Sequence, residues 1–146
     1  MTSSSRAQRI SYQKICRTAT GATSLVDVYR QRVLTQNTRT LRLLGRKSPA
    51  KIIHTLLGYE VQALYKRIQC PDMVTARYLK LFSELGCHSI KLPYDPTLTA
   101  QLIPEFEDMV EAIVHRIREL FPRDLPMQCR VIRNVFAIIR RQLKNA

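Results

Sequence analysis

Apolar residues recur at three- and four-residue steps along most of this chain. The most regular run is Ile52, Ile53, Leu56, Leu57, Val61, Leu64, Tyr65 and Ile68, a spacing that lines side chains along one stripe of a helix. Ser48-Pro49 stands before it, a cap followed by proline at the first helical position. Leu56 and Leu57 fall in mid-stripe, where burial is expected. An earlier helix opens at Ser24, carries Leu25, Val28, Tyr29, Val33, Leu34, Leu41 and Leu44, and stops at Gly45. Ahead of it, Ile10, Tyr12 and Ile15 predict a short helix over residues 10–17, needed to close a core that two helices cannot close.

The second half continues in the same period. Pro71-Asp72 opens a helix with Val74, Tyr78, Leu81, Phe82 and Leu85 inward, closed by Gly86. Residues 87–96 hold two prolines and no periodicity, which predicts a linker. Pro104 then starts a helix through Phe106, Met109, Val110, Ile113, Val114, Ile117, Leu120 and Phe121, with Glu105, Glu107 and Asp108 favourably placed in its first turn. A last helix begins near Asp124 and uses Val131, Ile132, Val135, Ile138, Ile139 and Leu143. No alternating strand pattern competes. The expected fold is all-α: an antiparallel three-helix bundle over residues 1–69 and a helical extension over residues 70–146.

Composition sharpens this only in part. With 146 residues, 45% of them hydrophobic, the chain can bury one sizeable core. The longest apolar run, Val135 to Ile139, is far short of the roughly 20 residues that span a bilayer, so no transmembrane segment is expected. Cys16, Cys70, Cys87 and Cys129 stand far apart without a C-x-x-C pair, which suits a reducing compartment and idle thiols better than a zinc site.

Charge changes the picture more. Lys and Arg number 24 against 11 Asp and Glu, a net charge of +13. Up to Tyr59 there is one acid, Asp27, among 11 basic residues. Such a basic half points to an acidic partner. The opening stretch, basic, serine-rich and free of acids, also has the composition of a mitochondrial address. Its apolar residues favour a retained, folded helix.

Residues 1–69 resemble the LYR-motif family, small basic three-helix proteins of mitochondria. The family's Leu-Tyr-Arg triplet in the first helix finds Tyr12-Gln13-Lys14 here, with Tyr29-Arg30 about one helix later. Arg39, Leu41 and Arg42 follow, then Lys47-Ser48-Pro49 at the start of the third helix. The triplet keeps only its basic third residue, and Leu41 stands where an aromatic belongs. A second register takes Val28-Tyr29-Arg30 as the triplet and Tyr65-Lys66-Arg67 as the later aromatic-basic step. The resemblance implies an LYR-like bundle and a mitochondrial adaptor, an accessory subunit or assembly factor of a respiratory-chain complex such as complex I. Its place would be the matrix or the matrix face of the inner membrane. Its partners would be that large mitochondrial complex and acyl carrier protein, which brings an acyl-phosphopantetheine arm; the chain needs no cofactor of its own. Contacts would come from Arg6, Arg9, Tyr12, Lys14, Arg17, Tyr29, Arg30, Arg39, Arg42, Arg46 and Lys47, since arginine forks suit carboxylates and phosphate.

No glycine-rich phosphate loop, paired carboxylates or nucleophile with an evident base is present, so the chain is not expected to be an enzyme. The alternative function is RNA binding, in a mitochondrial ribosomal protein or ribosome assembly factor. On the last helix Arg130, Arg133, Arg140, Arg141 and Lys144 gather near one side, opposite Val131, Val135, Ile138 and Ile139. That stripe could follow a phosphate backbone.

Overall fold

The computed structural model describes residues 24–146, and the expected helix over residues 10–17 lies outside them. Ser24 opens the first described element: its Oγ accepts the Asp27 N–H at 3.1 Å, and Asp27 accepts the Ser24 N–H in return. Helix α1, Leu25–Val28, widens into a π turn over Tyr29–Val33, closed by the Leu34 N–H donating to the Tyr29 carbonyl at 3.1 Å. The helix expected to run on to Leu44 ends here. Thr38–Arg42 forms strand β1 instead.

The described residues are 54% helix and 21% strand, which corrects the all-α three-helix LYR-like bundle to a mixed α/β fold. In place of the third helix, β2 (Lys51–Thr55), β3 (Gly58–Ala63) and β4 (Lys66–Cys70) form an antiparallel meander in the order β2-β3-β4. The register explains the error. Ile52, Val61 and Ile68 are direct cross-strand neighbours and form one inward row. Leu56 and Leu57 occupy the β2–β3 turn, and Leu64 and Tyr65 the β3–β4 turn, all four exposed. Residues three or four apart on a helix stripe are thus divided here between strand faces and turn tips. The β-branched residues Ile52, Ile53 and Thr55 carry the strand preference that the spacing concealed.

The expected linker also holds a strand. In β5, Ser89–Pro93, Ser89 and Lys91 are exposed while Ile90 and Leu92 are buried, a period of two. It pairs antiparallel with β1, Leu41 opposite Ile90 and Thr40 opposite Lys91. This pairing joins the two sides of residue 69.

Three long helices complete the fold. Helix α2, Met73–Leu85, has the bounds that its caps predict: Asp72 accepts the Thr75 N–H at 2.7 Å, and Gly86 ends it with φ 88°. Helix α3, Pro96–Leu120, starts at Pro96 behind an Asp95 cap and not at Pro104, which lies inside it. Glu105 and Glu107 are therefore mid-helix residues rather than a first turn. They pair with Arg32, at 3.0 Å, and with Arg77 on α2. Helix α4, Leu125–Lys144, is capped by Asp124 and buries Val131, Val135, Ile139 and Leu143. Tyr29, Tyr78, Phe82 and Phe106 meet in the core, with ring centroids 4.8 Å apart for Tyr78 and Phe82 and 5.7 Å for Phe82 and Phe106. Among the described residues no helix is long and apolar enough to cross a membrane.

The exposed turn at Leu56 and Leu57 reverses the cost expected of a buried stripe. Leu56→Ala and Leu57→Ala should each change unfolding free energy by no more than about 0.5 kcal/mol. Urea titration of the two variants checks this, since emptying a buried leucine site would cost roughly 2–5 kcal/mol.

Candidate anion-binding cleft and basic helix face

Strand β5 is fixed by two buried hydroxyls. Across from its partner Thr40, the Lys91 backbone turns to the free edge of the ribbon. There Tyr29 Oη accepts the Lys91 N–H at 3.1 Å, and Tyr78 Oη donates to the Lys91 carbonyl at 2.7 Å. Burial pushes the Tyr78 hydroxyl up, with Tyr29 and Cys87 adding to the effect. Burial raises Tyr29 too, and its bond from Lys91 pulls it partly back. Both hydroxyls therefore keep their protons. The Lys91 side chain leaves on the other side and its Nζ donates to Thr40 Oγ1 at 2.5 Å.

A cleft of about 570 Å³ opens between β5 and the C-terminal end of α4. Lys91 stands on one wall; Arg140, Arg141 and Lys144 stand on the other. Among the described residues no Asp or Glu side chain lines it. Leu34, Ile90 and Leu143 give it apolar surface, while Tyr29, Ser89 and His88 give polar groups. Its volume lies in the range of small-molecule sites.

Arg140 also has a structural task. Its guanidinium donates to the Leu85 carbonyl at 3.1 Å, at the C-terminus of α2, where a cation meets the negative end of the helix. Gly86 makes the approach possible: a Cβ there would lie 2.6 Å from the Lys47 backbone nitrogen and would also strike the Arg140 guanidinium. The loop carrying Arg46 and Lys47 consequently passes beside the cleft. Lys47 Nζ rests 5.8 Å from the centre of the Phe136 ring on α4.

Along α4 the remaining cations face outward. Arg130, Arg133, Arg141 and Lys144 are exposed, and none belongs to the ion pairs of the described residues. Over the 14 steps from Arg130 to Lys144 the helix rises about 21 Å.

The sequence-predicted contacts are divided by the fold. Arg6, Arg9, Tyr12, Lys14 and Arg17 lie outside the described residues. Tyr29 is buried beneath β5, with its ring in the core and its hydroxyl at the Lys91 N–H. Arg30 is exposed beside Asp27 at 3.8 Å. Arg39 shares the inner face of the ribbon with Leu41 and acts on the Cys70 thiol. Arg42, opposite Ser89, joins Thr40 and Lys91 on the outer face. Arg46 and Lys47 are thus the predicted residues brought beside the α4 wall of the cleft, while Arg42 stays on the ribbon. Lys91 and His88 were missed, although the alternation Ser89-Ile90-Lys91-Leu92 carries the signal. Among the described residues no group of three or more His, Cys, Asp or Glu side chains is placed to hold a metal ion. A comparison with protein-family models, curated proteins and solved structures finds no match.

Cys87 is buried at the cleft floor and is no poised nucleophile. Burial pushes its thiol up to about 12, against a small opposing pull from Arg140. Burial, with Asp72 adding to it, takes Cys70 up to about 11. The unfolded chain releases both protons from the ordinary value of 9.0. The folded chain holds them longer, so proton loss favours unfolding. Stability should be complete below pH 9 and fall from there toward pH 12, with the two tyrosine hydroxyls acting in the same direction. Urea midpoints at about pH 8 and about pH 10.5 measure this loss.

The crowding at Gly86 yields a second expectation. Gly86→Ala puts a side chain in left-handed backbone, at a cost of at least about 1 kcal/mol, and displaces either Lys47 or Arg140. Thermal unfolding should show the loss, and Ser83→Ala, one turn earlier in α2, provides no such backbone conflict for comparison.

Proposed function

We propose that this protein binds RNA, through phosphates laid along the exposed face of α4. One observation carries this: Arg130, Arg133, Arg141 and Lys144 share the outer side of a helix whose opposite side is buried, with no carboxylate paired to them among the described residues. Phosphate recognition of this kind positions a strand without reading its bases. Unpaired arginines suit the task, because they arrive without an internal acid to displace. Arg46 and Lys47, beside the same end of α4, extend the basic surface.

An adaptor for acyl carrier protein would also draw on basic charge. It requires a three-helix channel for the acyl chain, however, and residues 51–70 supply three strands where the third helix would stand. RNA uses the face that the fold leaves open.

Fluorescence anisotropy with a labelled mixed-sequence RNA tests the proposal. Affinity should fall steeply with salt. Arg130→Glu with Arg133→Glu should weaken binding and make the salt slope shallower by about 0.7 for each phosphate that is no longer neutralised. The proposal fails if binding is indifferent to salt or to this double variant. It also fails if the purified protein brings down a small acylated acidic protein through this face and no RNA.

A further inference from the structure

We propose that the cleft between β5 and α4 is a binding site for a nucleoside monophosphate. The proposal goes beyond backbone recognition along α4 and stands without it, because a free nucleotide would satisfy the same groups. Two sources share this chemistry: a free nucleotide, and the phosphorylated end of an RNA strand.

The walls of the cleft divide the work. From α4 come Arg141 and Lys144, exposed cations without an acid partner among the described residues, and Lys91 faces them from β5. A dianionic phosphate entering the cleft meets these cations on a lining that also includes Ala146 and, among the described residues, no Asp or Glu side chain. A bare phosphate would leave most of about 570 Å³ unfilled. The half-buried Leu34 and Ala137 on the lining give apolar surface that suits the face of a base. Beside it lies a built polar group. Tyr29 is 3% exposed, its oxygen already takes the Lys91 N–H, and among the described residues its own O–H has no acceptor. That proton is available to an acceptor on the ligand. The wall is rigid where it counts, since Lys91 is held through both backbone groups by Tyr29 and Tyr78.

The test titrates AMP into the full chain by calorimetry, with adenosine as the phosphate-free control. AMP should bind at least about tenfold more tightly than adenosine, given charge-assisted hydrogen bonds to the phosphate. Arg141→Ala with Lys144→Ala, both at exposed positions, should weaken AMP by about tenfold or more while leaving the melting temperature in place. Arg130→Glu with Arg133→Glu, at the far end of α4 and off the cleft lining, should leave AMP binding unchanged. A second arm compares one RNA with a 5′-phosphate against its 5′-hydroxyl form. A clear preference for the phosphorylated strand, competed by AMP, supports the strand end as source; AMP binding without such preference supports the free nucleotide. The proposal is overturned if adenosine binds as tightly as AMP, or if the Arg141 and Lys144 double variant binds AMP as well as the parent. It is also overturned if AMP does not bind and the two RNAs bind equally. In that last case a steep salt dependence of RNA binding would leave the α4 face intact as a backbone site, so the two proposals fail separately.

Discussion

The backbone of Lys91 is the point on which this structure turns. A two-stranded ribbon such as β1–β5 has marginal stability alone, and its free edge would leave an N–H and a carbonyl without partners. Tyr29 and Tyr78, from different helical segments, take those two groups. Leaving a buried polar group unpaired costs about 1–3 kcal/mol, so this arrangement anchors the ribbon in one position. The same rings belong to the aromatic core with Phe82 and Phe106. Packing of the core, the register of β5 and the wall of the cleft are therefore one constraint.

Charge is distributed by the same economy of partners. The acids are largely committed inside the fold. Asp72, Asp95 and Asp124 cap helices, and Glu105 and Glu107 tie α3 to Arg32 and Arg77. Glu84 and Glu119 pair within their own helices. Few carboxylates are left to answer the cations of α4. Among the described residues the cations of α4 are thus left as an uncompensated row along one side of that helix.

Local signals in the sequence were legible where a helix had its own punctuation. Asp72 and Gly86 bound α2 because one supplies a cap and the other the left-handed turn, and the one-sided apolar stripe of α4 is as its spacing predicts. Pro104 misled, since a proline that can open a helix here sits inside one begun at Pro96. The strands were hidden for a different reason. Ile52, Val61 and Ile68 are neighbours only through hairpin pairing, between residues distant along the chain, while their spacing also satisfies a helix. Of the site, the cations of α4 could be seen in advance. Lys91 could not be placed beside them without knowing that β5 exists and that two tyrosines hold its edge.

The π turn at Tyr29–Val33 leaves this protein with an unusual tolerance to one change of chain length. A π turn holds one residue more than the α turn it replaces, so the backbone on either side keeps its direction. Tyr29 enters the turn beneath β5, and Leu34, whose N–H closes on the Tyr29 carbonyl, leaves it at the cleft wall. Losing a single residue between them would let the same N–H meet the same carbonyl as an ordinary α turn, with Leu34 still above Tyr29. A deletion there is absorbed locally. The same deletion within β1 or β5 would slip the ribbon's register and turn its side chains to the opposite face.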